Sequence, residues 1–204
     1  SDEQAEEMKR EDLEIFYSLK TFIENQTNED MKAGLNRLMS ESETEQYLPT
    51  LTDEPEFWLK RTVKVRPADE SEEEEKGFLD WIGNLVQENK VNFLLSEGAK
   101  GKSTLVNMLV LHLMKEGGGV IPLRLKLRGE FKPGIGLIEN IKESYGREGV
   151  DRNVRRRLEA VLEDREKHKV LLVLDGLDEL KRNDQTLLID LLSKENSDYP
   201  ILVV

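Results

Sequence analysis

The loop at residues 96–104 reads Ser-Glu-Gly-Ala-Lys-Gly-Lys-Ser-Thr and has the residue types of a phosphate-binding loop. In such a loop backbone N–H groups point inward at phosphate oxygens, and glycine lets the backbone approach them closely. Lys102 would reach the β- and γ-phosphates of a nucleotide, and the Ser103 hydroxyl would bind Mg²⁺. Ser96 stands where the usual pattern has its first glycine, and a Gly-Lys-rich turn without function is the alternative. The candidate nucleotide-binding residues are Glu97, Gly98, Ala99, Lys100, Gly101, Lys102, Ser103 and Thr104.

A second motif is the apolar run 170–174, which predicts a buried strand followed by Asp175. In P-loop enzymes an aspartate at this point binds Mg²⁺, directly or through water, so Asp175 and Ser103 are the expected metal ligands. Asp178 and Glu179 follow on the turn, and we expect one of them to orient or activate the attacking water. A nucleotide phosphate with Mg²⁺ is therefore the expected ligand, and an ordinary acidic turn is the alternative.

Regular elements must bring these two motifs together, and hydrophobic periodicity predicts alternating strands and helices. An apolar strand precedes the loop and a helix that is apolar nearly all round follows it, as a phosphate-binding loop requires. This alternation favours parallel βαβ units with right-handed crossovers, so we predict an α/β fold with a three-layer parallel sheet. The predicted strands are 91–95, 120–127, 170–174 and 201–204, and the predicted helices are 78–86, 103–115, 136–145, 152–167 and 185–195.

The first part of the chain is acidic, with 24 acidic and 11 basic side chains in residues 1–90 against 18 and 19 in residues 91–204. Apolar spacing predicts helices over 5–25 and 29–40, the second capped by Asn28. Residues 1–60 are therefore expected to form a mostly helical appendage of unknown role.

A boundary region follows this appendage. Pro49 and Pro55 are expected to break the segment beyond residue 40, and Thr62–Val65 alternates as a short strand does. The run 69–75 holds six carboxylates and predicts a solvated linker, the alternative being a docking site for a basic partner. The predicted nucleotide-binding domain begins at residue 77.

Residues 171–180, Leu-Leu-Val-Leu-Asp-Gly-Leu-Asp-Glu-Leu, resemble the Walker B signature of NACHT ATPases. In that signature a small residue follows the Mg²⁺ aspartate and a pair of acids lies beyond it. Residues 97–105 are similar to the family's Walker A loop, Glu-Ala-Gly-x-Gly-Lys-Ser-Thr-Leu, and residues 120–123 are similar to its second strand. The resemblance covers residues 77–204 and ends before the sensor-1 position of the family; residues 1–60 have no counterpart in it.

NACHT proteins are P-loop NTPases of the STAND class, and the resemblance implies a Mg²⁺-dependent ATP/ADP switch with slow hydrolysis. It implies signalling in innate immunity, programmed death or bacterial antiviral defence, with self-association on activation. Protein partners would bind through the N-terminal region or a C-terminal sensor. In this class the sensor-1 strand lies beside the phosphate-loop strand, which would make 201–204 a central strand. The segment before the domain contacts the base in this family, so Thr62 and Val63 are the candidate adenine contacts, with a plain edge strand as the alternative.

Composition narrows the classes of function. The chain has no cysteine and two histidines, which excludes disulfides and thiol catalysis and disfavours zinc sites. The sequence has no run of 18 apolar residues and no apolar signal segment, so we expect a cytoplasmic protein that does not bind membranes. A net charge of −12 disfavours nucleic acid as a partner.

Smaller features have ordinary structural interpretations. We expect the basic run 155–157 to be a solvated helix face, and Trp58, Phe78 and Trp81 to be core residues rather than base-stacking platforms. The chain begins without Met and ends within an apolar run, which we interpret as a fragment of a longer protein.

Three other functions stay open. One is a nucleotide-binding or oligomerisation module that does not hydrolyse nucleotide and whose N-terminal helices mediate protein interaction. Another is a GTPase or small-molecule kinase on the same loop, although the sequence has no Asn-Lys-x-Asp base-reading motif. The third is a pure interaction protein that acts through its first 50 residues.

Overall fold

The computed structural model describes residues 2–37, 39–53, 55, 59–66, 73–88, 90–95, 101–115, 119–147, 152–164, 168–194 and 198–204. The described helices of two turns or more are α1 Asp2–Leu35, α2 Glu41–Asp53, α3 Phe78–Leu85, α4 Lys102–Lys115, α5 Leu137–Tyr145, α6 Arg152–Glu163 and α7 Arg182–Lys194, and a single turn, Leu127–Glu130, follows the fourth strand. The described strands are β1 Thr62–Val65, β2 Glu74–Gly77, β3 Val91–Phe93, β4 Val120–Lys126, β5 Lys169–Asp175 and β6 Ile201–Val203.

Four strands form a parallel sheet in the order β3-β6-β5-β4. The predicted α/β class and the parallel strands are therefore confirmed. Strand β6 pairs with β3 on one side and β5 on the other, so Ile201–Val203 is a central strand, as expected. Strands β4 and β5 pair along their whole length, and Lys126 is the register partner of Asp175. The carboxyl end of β5 therefore lies beside the carboxyl end of β4.

The core centres on β5, in which every residue after Lys169 is buried. A strand covered on both faces has no solvated side, which explains why 170–174 is a continuous apolar run rather than an alternating one. Helix α4 contributes buried side chains from Val106 to Leu111 in succession, and it packs against β4 and β5. This burial explains why the helix is apolar nearly all round.

Helix α1 is one continuous helix where two were predicted, over 5–25 and 29–40. Its buried residues Leu19, Ile23, Thr27 and Met31 are spaced four apart, so a single face continues past Asn28. Because that face stays aligned, the capping signal at Asn28 does not start a new helix. The stripe packs against α4 and α6 and belongs to the same hydrophobic core as the sheet. Burial of each such aliphatic side chain contributes about 1.5–3 kcal/mol, so this end of α1 is an integral part of the core.

Helix α2 begins at a capping box that the sequence analysis missed. The Ser40 N–H donates to Glu43 Oε2 at 2.9 Å, and the Glu43 N–H donates to Ser40 Oγ at 3.4 Å. The expectation that Pro49 interrupts regular structure in this segment is wrong, because Pro49 lies inside this helix. The far end of the helix is held by Lys115, whose Nζ donates to the carbonyls of Thr52 and Asp53. Tertiary contacts at that end help offset the backbone hydrogen bond that proline removes.

Strands β1 and β2 form an antiparallel hairpin, in which Thr62 pairs with Gly77 and Val65 with Glu74. The strand at Thr62–Val65 is confirmed. In its described part, 73–75, the acidic run is exposed, as a solvated segment is, but Glu74 and Glu75 belong to β2 rather than to a linker. Just before β2, Glu73 pairs with Lys64 of β1 and with Arg66, the residue after β1. Opposite charges across an antiparallel pair favour strand formation there.

The remaining expectations concern single side chains. Phe78 and Trp81 are buried and pack against one another, with ring centroids 6.0 Å apart, as expected for core residues. Trp58 lies outside the described residues. Arg155 and Arg156 are exposed on α6, as a solvated face requires. Within the part of the chain that the structure describes, no helix has the length and apolar character needed to cross a membrane.

Candidate functional site

Helix α4 begins at Lys102, directly after Gly101. The φ angle of Gly101 is 74°, in the left-handed region that glycine adopts without strain. Its carbonyl accepts a hydrogen bond from the Leu105 N–H at 2.9 Å, which starts the helix. Unpaired N–H groups and the helix dipole make such an end attractive to anions. The expected contacts Glu97, Gly98, Ala99 and Lys100 lie outside the described residues.

The two expected metal ligands, Ser103 and Asp175, lie together at this end of α4. Asp175 is the last residue of β5 and is 6% exposed. The Ser103 hydroxyl donates to Asp175 Oδ1 at 3.3 Å, although the residues are 72 positions apart in sequence. The fold therefore brings together the ends of the two motifs that the sequence singles out.

This pair fits a magnesium ion. Neighbouring ligands of an octahedral Mg²⁺ with bonds of 2.0–2.1 Å lie about 3 Å apart, close to the separation of the two oxygens. Among the described residues no three histidine or carboxylate side chains cluster as an all-protein cage would need. Mg²⁺ is usually held by one or two protein oxygens, substrate phosphates and water, so a site of two oxygens suits it.

Asp175 has a second partner that the sequence analysis did not identify. Its Oδ2 accepts a hydrogen bond from Nη2 of Arg124, which lies on β4 and is 12% exposed. Arg124 Nη1 donates to Asn107 Oδ1, and Asn107 lies one helical turn after Ser103. One oxygen of Asp175 thus faces the serine, and the other is held by a guanidinium. Such a buried pair costs several kcal/mol to break when one partner is removed.

Lys102 lies over the turn that follows β5. Its Nζ is 2.9 Å from Asp178 Oδ2, and the lysine side chain is 15% exposed while that of Asp178 is 57% exposed. Lys102, Asp178, Ser103 and Asp175 therefore belong to one site. A phosphate would compete with Asp178 for the ammonium.

Asp178 and Glu179 lie on a single 3₁₀ turn, Leu177–Glu179. The turn starts from Gly176, whose φ of 91° is again left-handed. Gln185 fastens the turn, since its Nε2 donates to the carbonyls of Leu177 at 2.9 Å and Leu180 at 3.2 Å. The backbone of the two acids is thus held in place while both side chains stay exposed.

Glu179 also has a cationic neighbour. Its Oε2 lies 3.3 Å from Nη1 of Arg128, in a pair whose side chains are 47% and 79% exposed. Exposed pairs of this kind are worth about 0–1 kcal/mol, so the carboxylate can leave its partner easily.

A cleft of about 250 Å³ opens beside Lys102. It is lined by Leu94, Leu95, Lys102, Leu177, Asp178, Gln185, Ile189, Val203 and Val204. Thr62 and Val63, the candidate adenine contacts, do not line it. They lie on β1, where the Thr62 hydroxyl donates to Glu75 Oε1 at 2.6 Å and Val63 packs against the core. These contacts favour the alternative, a plain edge strand.

Sequence reasoning missed Arg124, Arg128 and Gln185. A signal existed for the first, because Arg124 and Lys126 place two cations on the same face of a strand whose other residues are apolar. Gln185 and Arg128 had no such signal, since both lie in polar segments where any surface residue would fit.

Comparison of the chain with protein-family models, with curated proteins and with solved structures gives no match.

Proposed function

We propose that the chain is a Mg²⁺-dependent ATP/ADP-binding domain of the P-loop NTPase class, similar to NACHT proteins. In this proposal it serves as a nucleotide-operated switch in signalling or immune defence, with slow hydrolysis. The observation on which it rests is the meeting of Ser103 with Asp175 at 3.3 Å, with Lys102 beside them at the start of a buried helix. A structural serine and aspartate alone would not require a neighbouring lysine at a helix N-terminus.

The strand order supports the same proposal. The expected sensor-1 strand of a STAND protein lies next to the phosphate-loop strand, and β6 occupies that place between β3 and β5. The carboxyl ends of parallel strands are where open α/β sheets bind ligands, and Asp175 lies at such an end.

Each side chain has a defined task in this proposal. Lys102 binds the β- and γ-phosphates with its ammonium, and the N-terminal N–H groups of α4 bind phosphate oxygens. Ser103 Oγ and Asp175 Oδ1 hold Mg²⁺, which would supply charge neutralisation of the phosphates when bound. Glu179 accepts the proton of the attacking water or orients it, while Asp178 releases Lys102 to the phosphates.

Thermal unfolding with and without Mg²⁺ATP tests the proposal. Lys102→Ala should lose the nucleotide-dependent rise in Tm, because the cation facing the phosphates is gone. A ligand at about 100 times its Kd adds about 2.7 kcal/mol to the native state, a rise that is readily measured. Lys90→Ala removes an exposed lysine just before β3, at the end of the strand away from the phosphate-binding loop, and should keep the full rise. An equal rise in both variants would refute the assignment.

A second candidate, a module that binds nucleotide without hydrolysing it, is favoured by one observation. Both candidate bases are paired with cations, Asp178 with Lys102 and Glu179 with Arg128. Phosphate release from ATP under single-turnover conditions separates the two functions. Release above that of the Lys102→Ala variant favours the switch with hydrolysis, and release equal to it favours the binding module.

A further inference from the structure

The N-terminal helix reaches the proposed metal site through one carboxylate. Asp30 of α1 places Oδ2 at 3.3 Å from Arg124 Nη1, and its Oδ1 accepts a hydrogen bond from Lys126 Nζ. The Asp30 side chain is 24% exposed, and its neighbours Thr27 and Met31 on the helix are buried. This contact is therefore a fixed part of the docked helix.

Arg124 joins three elements that are distant in sequence. Its Nη1 is shared by Asp30 of α1 and Asn107 of α4, and its Nη2 binds Asp175 of β5. A guanidinium is planar and rigid, so its donors cannot move independently of one another. A change at Asp30 must therefore alter the position or charge sharing of the group that holds Asp175.

We propose that Arg124 is a positioning residue for Asp175, and that Asp30 of the N-terminal helix sets how strongly Arg124 holds it. Docking of α1 then tunes the Mg²⁺ affinity of the nucleotide site. The inference rests on the proposed function, because Mg²⁺ enters the site with the nucleotide.

The direction follows from the charges. Asp30 neutralises part of the charge of Arg124 and Lys126, and little solvent screens these groups, since Arg124 is 12% and Asp175 is 5% exposed at the side chain. Without Asp30, Asp175 is the one carboxylate among the described residues that still pairs with the guanidinium, and the site becomes more positive. Mg²⁺ must then compete with a stronger ion pair for the same carboxylate, so its affinity falls.

The experiment measures the Mg²⁺ concentration that gives half of the ATP-dependent rise in Tm. The variants are Asp30→Asn, Arg124→Gln and the double variant. The control is Glu29→Gln, which removes an exposed carboxylate one residue away on the same helix. We expect Asp30→Asn to raise the half-maximal Mg²⁺ concentration about fivefold or more, as couplings between sites usually do. We expect the control to leave it unchanged, and Asp30→Asn to have no further effect when Arg124 is already Gln.

Each outcome decides between specific alternatives. If Asp30→Asn behaves like Glu29→Gln while the wild type binds Mg²⁺ATP, the coupling is wrong and the proposed function stands. If the effect of Asp30→Asn persists in the Arg124→Gln background, Arg124 does not transmit it. If the wild type shows no ATP-dependent rise, the proposed function fails and the inference fails with it.

A measurement without nucleotide gives an independent readout. In EDTA, the destabilisation caused by Asp30→Asn and Asp175→Asn should be non-additive, and Arg124→Gln should remove the non-additivity. Additive effects would contradict the link through Arg124. If Asp30→Asn does not fold, Asp30→Ser also removes the charge and leaves a smaller side chain. It should raise the half-maximal Mg²⁺ concentration in the same direction, and an unchanged dependence would overturn the inference.

Discussion

Lys102 and Asp178 form an ion pair across the candidate site, with Nζ 2.9 Å from Oδ2. The side chain expected to bind phosphate is thus already neutralised by a carboxylate of the same chain. Because the Asp178 side chain is 57% exposed and that of Lys102 is 15% exposed, the carboxylate is the partner with open space to turn into. Entry of a phosphate then requires Asp178 to turn outward, and the cost of that step lowers the affinity for nucleotide.

Asp178→Asn should therefore tighten nucleotide binding. The sequence alone made Asp178 a candidate to orient or activate water, but the ion pair with Lys102 makes it a competitor of phosphate. Exposed pairs are worth about 0.2–1 kcal/mol, so the gain should be up to about fivefold in Kd. Titration calorimetry with ADP would measure it, with Asp190→Asn, an exposed acid on α7, as the matched control. Weaker binding in Asp178→Asn would show that Asp178 contacts the nucleotide favourably.

Glu179→Gln should separate binding from hydrolysis. The glutamine keeps the shape of the side chain but cannot accept a proton, so turnover should fall by about 10²–10⁴ with binding unchanged. Asp175→Asn should behave differently, because an amide is a poor Mg²⁺ ligand: its nucleotide binding should lose Mg²⁺ dependence. Single-turnover hydrolysis and calorimetry with and without EDTA would check both. Wild-type turnover in Glu179→Gln would exclude Glu179 as the base.

Gly176→Ala should destabilise the turn that holds the two acids. Its φ is 91°, and the nearest atoms to an added Cβ would be side-chain atoms of Glu179 at 3.7–3.8 Å, which is ordinary contact. The cost is therefore one of backbone conformation, about 1–2 kcal/mol for an L-residue.

Gly83→Ala on the exposed face of α3 is the matched control, with nothing within 4 Å of its added Cβ. Alanine is favoured over glycine in a helix by about 0.5–1 kcal/mol, so this variant should be more stable than wild type. Urea unfolding measures both changes. Equal effects of the two substitutions would show that the left-handed conformation at 176 is not maintained in solution.

Because the Tyr145 hydroxyl is buried, we expect the folded protein to lose stability in alkaline solution. Burial raises the pKa of its hydroxyl to about 12, while the hydrogen bond from the Arg124 backbone N–H acts in the opposite direction. The unfolded chain releases this proton above its ordinary pKa of 10.0 and the folded chain keeps it. The free energy of unfolding should then fall by about 1.4 kcal/mol per pH unit from the unfolded pKa up to the folded one, and be unaffected by this group below that range.

Tyr145→Phe isolates the contribution of the hydroxyl, because it retains the ring that packs against Phe22, with ring centroids 6.0 Å apart. Urea unfolding of both proteins on either side of pH 10 would give two profiles that diverge as the pH rises. Parallel profiles would mean that the hydroxyl is accessible to solvent.

The sequence predicted most of the sheet because its signals are local. An apolar strand such as 170–174 and a glycine-flanked helix start at Lys102 are determined by their own residues and immediate neighbours. The meeting of Ser103 with Asp175 was predictable too, since a known motif links the two positions. The contact between Ser103 and Asp175 thus agrees with motif-based reasoning, whereas Thr62 and Val63 do not line the cleft.

What the sequence did not reveal depends on contacts between distant segments. The continuity of α1 past Asn28 is favoured by a face that packs on α4 and α6. Pro49 is tolerated inside α2, whose last carbonyls bind Lys115 from another helix. The role proposed for Arg124 depends on its hydrogen bonds to Asp30 and Asp175, which lie 94 and 51 positions away in the sequence.

The placement of β6 has a consequence for the order of folding. Among the described strands, β3 has β6 as its one partner, yet β6 follows it by more than a hundred residues. During synthesis β4 and β5 can pair as soon as both have left the ribosome, whereas β3 must wait for β6. Closing so long a loop is slow, and until it closes β3 offers an open edge to other chains. Val204, the residue after β6, also anchors the acidic turn, since its carbonyl accepts hydrogen bonds from the N–H groups of Gly176 and Leu177 at 2.9 Å. The turn that holds Asp178 and Glu179 is therefore completed only after β6 has joined the sheet, so the candidate site cannot be complete before that strand is in place.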